Sequence, residues 1–119
     1  MHALIIEDDA FTARLLQFAM GDMGFNSITA AASEDEAIAA ARQRRPDLVC
    51  ADVTLLRGTG IDAVRSICEP DRIPSIFVTA SPARVAAALP NAIVVSKPFA
   101  IKQVHVAVER ALKRAQAGS

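Results

Sequence analysis

Short apolar runs, each ending abruptly at a polar group and each followed by residues at helical spacing, are what most constrain the fold of this chain. Ala3-Leu4-Ile5-Ile6 stops at Glu7-Asp8-Asp9, and Leu48-Val49-Cys50-Ala51 stops at Asp52. Ser75-Ile76-Phe77-Val78 delivers Thr79, and Ala92-Ile93-Val94-Val95 delivers Ser96-Lys97. Runs of this length, rich in β-branched residues, have the character of strands buried on both faces of a parallel sheet. A further run, Ser27 to Ala31, alternates polar and apolar as a half-exposed edge strand does. Strands that alternate with short helical crossovers must run parallel, with right-handed connections. The reading is therefore an α/β chain of five strands and five helices.

The intervening segments supply the helices. Phe11, Leu15, Phe18, Ala19 and Met23 recur at three and four residues, which predicts an inward face for the first helix, with Gly24 as its stop. Ser33-Glu34-Asp35-Glu36 is a capping box opening a second helix that buries Ala37, Ile38, Ala40 and Ala41. Arg42, Arg44 and Arg45 at its far end suit the helix dipole and read as a solvated end. Ile61, Val64, Ile67 and Cys68 form the inner face of the third helix, which Glu69-Pro70-Asp71 breaks. Ser81-Pro82 reads as an N-cap and first-turn proline for a short fourth helix to Leu89. The last helix, from about Ala100, turns Ile101, Val104, Val108 and Leu112 inward and frays over Ala117-Gly118-Ser119.

Composition narrows the function. At 119 residues the chain makes one domain with a real core, and it leaves no room for an output domain. Thirteen basic and thirteen acidic residues cancel, so no overall field recruits nucleic acid or an anionic membrane. No apolar run is long enough to span a bilayer, and Met1-His2 lacks the features of a signal peptide. Cys50 and Cys68, without metal-ligand spacing, suggest reduced thiols in the cytoplasm.

In a parallel sheet the carboxyl ends of the strands lie side by side and open on one cleft. Taken singly, Glu7-Asp8-Asp9 suits the first turn of a helix, Thr79 a strand-end hydroxyl and Lys97 a surface lysine. Together, at successive strand ends, they and Asp52 make a site. Three carboxylates (Glu7, Asp8 and Asp52) need a hard divalent cation and a nearby ammonium. Magnesium (Mg2+) suits such oxygen donors, and Lys97 supplies the ammonium. This pocket would accept a phosphoryl group, with Asp52 as in-line nucleophile and Thr79 donating a hydrogen bond to the acyl phosphate.

On these residues the chain resembles the response-regulator receiver domain of two-component signalling over nearly its whole length. The matching motifs are Ile6-Glu7-Asp8-Asp9, Pro46-Asp47-Leu48-Val49 leading to Asp52, Gly60 eight residues on, Val78-Thr79-Ala80 and Lys97-Pro98-Phe99. The 44-residue step from Asp8 to Asp52 also fits. The resemblance implies a doubly wound, flavodoxin-like sheet of order 2-1-3-4-5. It makes Asp52 the phospho-acceptor, Glu7 and Asp8 the metal-binding acids, the Thr54 carbonyl a further metal ligand, Thr79 the switch hydroxyl and Lys97 the phosphate-binding lysine. It also implies a cis Lys97-Pro98 peptide. The phosphoryl donor would be a sensor histidine kinase or a histidine phosphotransfer protein, with a downstream protein target and no direct contact with nucleic acid or membrane.

Three features depart from that pattern. Val94 stands where the family usually has an aromatic switch residue, Leu56 replaces a usual proline, and the Thr79-to-Lys97 interval is short, so the fourth helix must be truncated or irregular. Two competing motifs fit poorly. Gly58-Thr59-Gly60-Ile61-Asp62-Ala63 matches a dinucleotide-loop glycine pattern but starts seven residues after its strand, and reads as turn chemistry. A phosphatase with Asp52 as nucleophile would want that residue after the first strand, an acid at Thr54 and a cap domain. Neither His2 nor His105 has partners at ligand spacing. Phe99 reads as a core anchor at the start of the last helix.

Overall fold

A computed structural model describes residues 1–118, so the expected fraying of Ser119 lies outside the described residues. The strands β1 (His2–Ile6), β2 (Ser27–Ala31), β3 (Leu48–Ala51), β4 (Ser75–Thr79) and β5 (Val94–Ser96) form one parallel sheet. Their order is β2-β1-β3-β4-β5, the doubly wound arrangement expected. The helices α1 (Ala10–Asp22), α2 (Glu34–Gln43), α3 (Gly60–Cys68), α4 (Pro82–Ala88) and α5 (Ile101–Ala117) alternate with the strands. Because successive side chains of a strand point to opposite faces, the sheet feeds two cores. Ile5, Cys50, Ile76 and Val78 meet α1 and α5 on one side. Ile6, Val49, Ala51 and Phe77 meet the side of α2 and α3 on the other.

The strands β1, β3 and β4 are almost wholly buried, as their unbroken apolar runs require. β5 begins two residues later than the sequence suggests. Ala92 belongs to the turn, and the ladder opens where the Phe77 amide donates to the Ile93 carbonyl at 2.9 Å. His2 is buried, its Nδ1 2.9 Å from Ser27 Oγ, which ties the start of β1 to the edge strand. His105 turns its Nε2 toward Asp22 Oδ2 at 3.7 Å, between α5 and α1.

Helix α1 packs differently from expectation. Its buried residues are Ala13, Leu16, Ala19 and Met20, whereas Phe11 and Phe18 are 71% and 68% exposed and Leu15 is exposed beside them. Only Ala19, and Met23 at the edge of the core, fall on the expected face. The helix carries two apolar stripes. The one with the smaller residues wins because alanines let a helix axis approach a sheet closely, and close packing is where dispersion contacts accumulate.

The other helices follow their sequence signals. The Ser33 hydroxyl accepts from the Glu36 amide at 3.2 Å, while the Glu36 carboxylate reaches back to the Ala32 amide at 2.8 Å, one residue before the expected target. Phe99 lies against the core at the start of α5. Helix α4 has seven residues and a single buried side chain, Val85. Ser81 sits at its N-cap, but its side chain makes no cap bond.

Candidate functional site

Parallel register brings the ends of β1, β3, β4 and β5 to one rim. Ile6 lies beside Ala51, and Thr79 beside Ser96, so Glu7, Asp52, Thr79 and Lys97 emerge together. Burial of both flanking strands carries the first two acids inward: Glu7 is 4% exposed and Asp52 8%. Two carboxylates so poorly solvated require a counter-charge. Lys97 provides it, with Nζ 2.6 Å from Glu7 Oε1 and 2.8 Å from Asp52 Oδ2. The cis Lys97-Pro98 peptide follows the lysine, as the family resemblance implies.

The electrostatics follow from this geometry. Burial raises the Glu7 carboxyl above its ordinary value, only partly offset by the hydrogen bonds from Lys97 and from the Asp9 amide. Burial works against the Lys97 ammonium too, but its bonds to Asp52 and Glu7 and their charges outweigh it and hold the lysine above its usual range. Lys97 thus stays charged wherever the carboxylates are ionised. The remaining Asp52 oxygen, Oδ1, accepts from the Val53 amide at 2.7 Å.

Asp8 is placed otherwise. It is half-buried at the rim, and its Oδ2 accepts from the Leu56 amide at 2.9 Å, which ties β1 to the loop after β3. Because Asp8 faces that loop and Lys97 stands between Glu7 and Asp52, the described residues hold no cluster of three or more metal-ligating acids, cysteines or histidines. In donor chemistry Glu7, Asp8, Asp52 and the Thr54 carbonyl remain a set of hard oxygens, which fits magnesium. Asp9 caps α1: its Oδ2 accepts from the Thr12 hydroxyl and amide, which holds its carboxyl below the usual range.

The loop from Val53 to Thr59 is braced from several sides. The Gly60 amide donates to the Val53 carbonyl at 2.9 Å, and a Cβ at Gly60 would overlap the Asp52 carbonyl. Only glycine permits that approach. Glu34 of α2 accepts from the Thr59 amide at 3.0 Å, and its own amide donates to the Arg57 carbonyl at 3.2 Å. The Thr59 hydroxyl accepts from the Asp62 amide and caps α3, so the glycine-rich stretch is turn and cap chemistry, as its sequence suggests. Thr79 is buried, and its Oγ1 accepts from the Ser81 amide at 3.0 Å.

Sequence reasoning passes over two residues here. One is Glu34, which the sequence presents only as a helix-start acid. The other is Arg84 of α4, whose Nη1 donates to Thr54 Oγ1 at 3.2 Å across the mouth of the cleft. The sequence shows only that Ser81-Pro82 starts α4 directly after Thr79, which puts Arg84 in its first turn without saying where its side chain reaches.

Comparison with known proteins identifies the family and the fold. Residues 3–109 match the response regulator receiver domain. The phyllosphere-induced regulator PhyR of Methylorubrum extorquens is 35% identical over 113 residues, covering 92% of this chain and 42% of PhyR. The probable transcriptional regulatory protein TcrX of Mycobacterium tuberculosis is 34% identical over 116 residues, covering 93% and 49%. This chain therefore spans less than half the length of each of these two relatives. Among solved structures, the receiver domain of Erythrobacter litoralis PhyR superposes with a TM-score of 0.86 at 32% identity, covering 94% of this chain and 89% of that one. The anti-anti-sigma factor PhyR of Bartonella quintana superposes with a TM-score of 0.84 at 31% identity, covering 98% and 49%. With its strand order, its buried acids and its lysine in place, this chain belongs to the response regulator receiver domains of two-component signalling.

Proposed function

We propose that this receiver accepts a phosphoryl group on Asp52 from a phosphohistidine of a sensor histidine kinase or a histidine phosphotransfer protein. The observation that carries the reading is the Asp52 carboxylate at the end of β3, nearly buried, sharing the Lys97 ammonium with Glu7. In the reaction an Asp52 carboxylate oxygen attacks phosphorus. The new O–P bond forms as the P–N bond breaks, and the imidazole nitrogen leaves with the bonding pair. Charge that spreads over the phosphoryl oxygens meets the fixed Lys97 ammonium, and the Thr79 hydroxyl, which accepts from the Ser81 amide, keeps its own proton to donate to one of those oxygens. Glu7, Asp8, Asp52 and the Thr54 carbonyl would hold magnesium, which when bound supplies further neutralisation of phosphoryl charge.

A protein donor suits the surface around the mouth. Phe11, Leu15 and Phe18 expose an apolar stripe on α1, the helix that starts beside the acids, and Leu56 is 88% exposed on the facing loop. Such a rim fits an apolar helical surface that carries the donor histidine. Balanced charge argues for output through a protein target and not through direct contact with nucleic acid or membrane, and among the described residues no helix is long and apolar enough to cross a bilayer. A cytoplasmic location fits this role. The experiment is acetyl phosphate with magnesium, followed by mapping of the modified residue. The acyl phosphate is expected on Asp52 and absent from Asp52→Asn, and undiminished labelling of the variant would end the reading.

A further inference from the structure

The Asp52 phosphoryl group would bring new negative charge into a pocket whose internal cation, Lys97, is already shared between two carboxylates. The structure holds a second cation at the mouth. Arg84 reaches from α4 over the loop that follows Asp52 and donates to Thr54 Oγ1, two residues beyond the phospho-acceptor. That acceptor is a neutral hydroxyl at 3.2 Å, a long contact, and Arg84 has no ion pair among the described residues. A guanidinium binds anionic oxygens better than a neutral hydroxyl, and its planar fork suits phosphate oxygens.

Helix α4 is also built to be moved by one contact. Val85 is its one fully buried side chain, Ala88 and then Leu89 lie partly buried against the core at its end, and three polar bonds tether it further. The Ser81 amide donates to Thr79 Oγ1 at 3.0 Å before its start, Arg84 binds Thr54 in its first turn, and Arg65 of α3 donates to the Ala88 carbonyl at 3.3 Å at its end. Two of these three tethers end on residues of the rim that carries Asp52: Thr54 in the loop after β3 and Thr79 at the end of β4. Val94, in the place of a switch aromatic, has one stiff χ1 and little surface to turn.

We infer that Arg84 is a phosphoryl-contacting residue of this receiver: on modification of Asp52 its guanidinium leaves Thr54 for a phosphoryl oxygen and draws α4 toward the pocket. The inference rests on the receiver reading above and deepens it. It assigns to an arginine on α4 the coupling for which β5 offers only a valine.

Titration with beryllofluoride in the presence of magnesium, followed by NMR, tests it on the intact chain. In the wild type the Arg84 Nε signal and the amides of residues 82 to 88 should shift on binding. Arg84→Gln keeps a donor for Thr54 but removes the charge. It should weaken beryllofluoride binding about fivefold, the ratio expected of a partly solvated ionic contact, and should shrink the α4 shifts. Arg84→Lys should recover part of the affinity. Equal affinity and equal α4 shifts in wild type and Arg84→Gln would overturn the inference while leaving the receiver reading intact. A wild type that binds no beryllofluoride would instead remove the receiver reading, and this inference with it.

Discussion

The Lys97 ammonium stands 2.6 Å from Oε1 of Glu7, an acid at the end of a strand on the other side of β3 and β4. Glu7 is buried among apolar strand ends, so this contact decides whether its charge is tolerated. The lysine is therefore a structural partner of Glu7 as well as a ligand for an incoming phosphoryl group.

Removing that partner has a signed pH dependence. In Lys97→Met the burial of Glu7 is opposed only by the hydrogen bond from the Asp9 amide, and its carboxyl rises further above its ordinary value. A carboxyl raised in the fold favours the folded state at low pH, and that contribution is lost as pH climbs through the folded value. The variant should be less stable than wild type at pH 7.5 by about 1–3 kcal/mol, because a largely buried acid loses its counter-charge. The deficit should shrink at pH 5. Urea unfolding at the two values checks this, and a deficit that grows on acidification would refute it.

Gly60 should tolerate no side chain. Gly60→Ala places a Cβ on the Asp52 carbonyl, so either the loop or the start of α3 must move. Overpacking against backbone should cost at least about 2 kcal/mol and slow labelling of Asp52 by acetyl phosphate. A variant as stable and as readily labelled as wild type would show that the close approach is not needed.

Metal dependence should run through Asp8. Chelation of magnesium should abolish labelling of the wild type, and Asp8→Ala should remove the magnesium response with most of the labelling. The variant also frees the Leu56 amide, so the loop after β3 should exchange its amide hydrogens faster. Full labelling in chelator would rule the metal out of the reaction.

Residues 80 to 90 should be the most mobile part of the unphosphorylated protein and should shift most on activation. Val85 is the one buried side chain of α4, so the packing there is worth only a few kcal/mol, at roughly 25 cal/mol per Å². A charge-assisted bond from Thr79 to a phosphoryl oxygen, about 1.5–3 kcal/mol, can rebalance it. The Ser81 amide is bonded to the same hydroxyl, so a movement of Thr79 toward the phosphoryl group would carry the start of this segment with it. Backbone relaxation with and without beryllofluoride decides, and a segment as rigid and unresponsive as β3 would refute this.

The strand ends are legible in the sequence because they depend on strand parity and on burial, both written in the apolar runs. Asp52 follows Ala51 off a buried strand, and any parallel register puts it on the rim with Glu7 and Lys97. Helix α1 misleads because periodicity weighs bulk. Phe11, Leu15 and Phe18 outvote Ala13 and Ala19 in the sequence, while the sheet selects whichever face can come closest. The reach of Arg84 to Thr54 is beyond sequence reasoning, since it depends on where a seven-residue helix lands. The division of labour between Glu7 and Asp8, one inward on Lys97 and one outward on Leu56, needs coordinates as well.

Cys50 lies in β3 two residues before Asp52, buried, with its thiol pushed up to about 12 by burial and by the charges of Glu7 and Asp52. Cys68 on α3 is likewise buried and pushed up to about 12. Thiolate is the form that oxidants and electrophiles attack, and at neutral pH neither residue supplies it. Burial in the acceptor strand, with the charge of the acid cluster added to it, thus keeps the sulfur beside Asp52 in its thiol form. Burial first, and the negative charge of the pocket second, therefore disfavour oxidation or disulfide exchange at the acceptor strand.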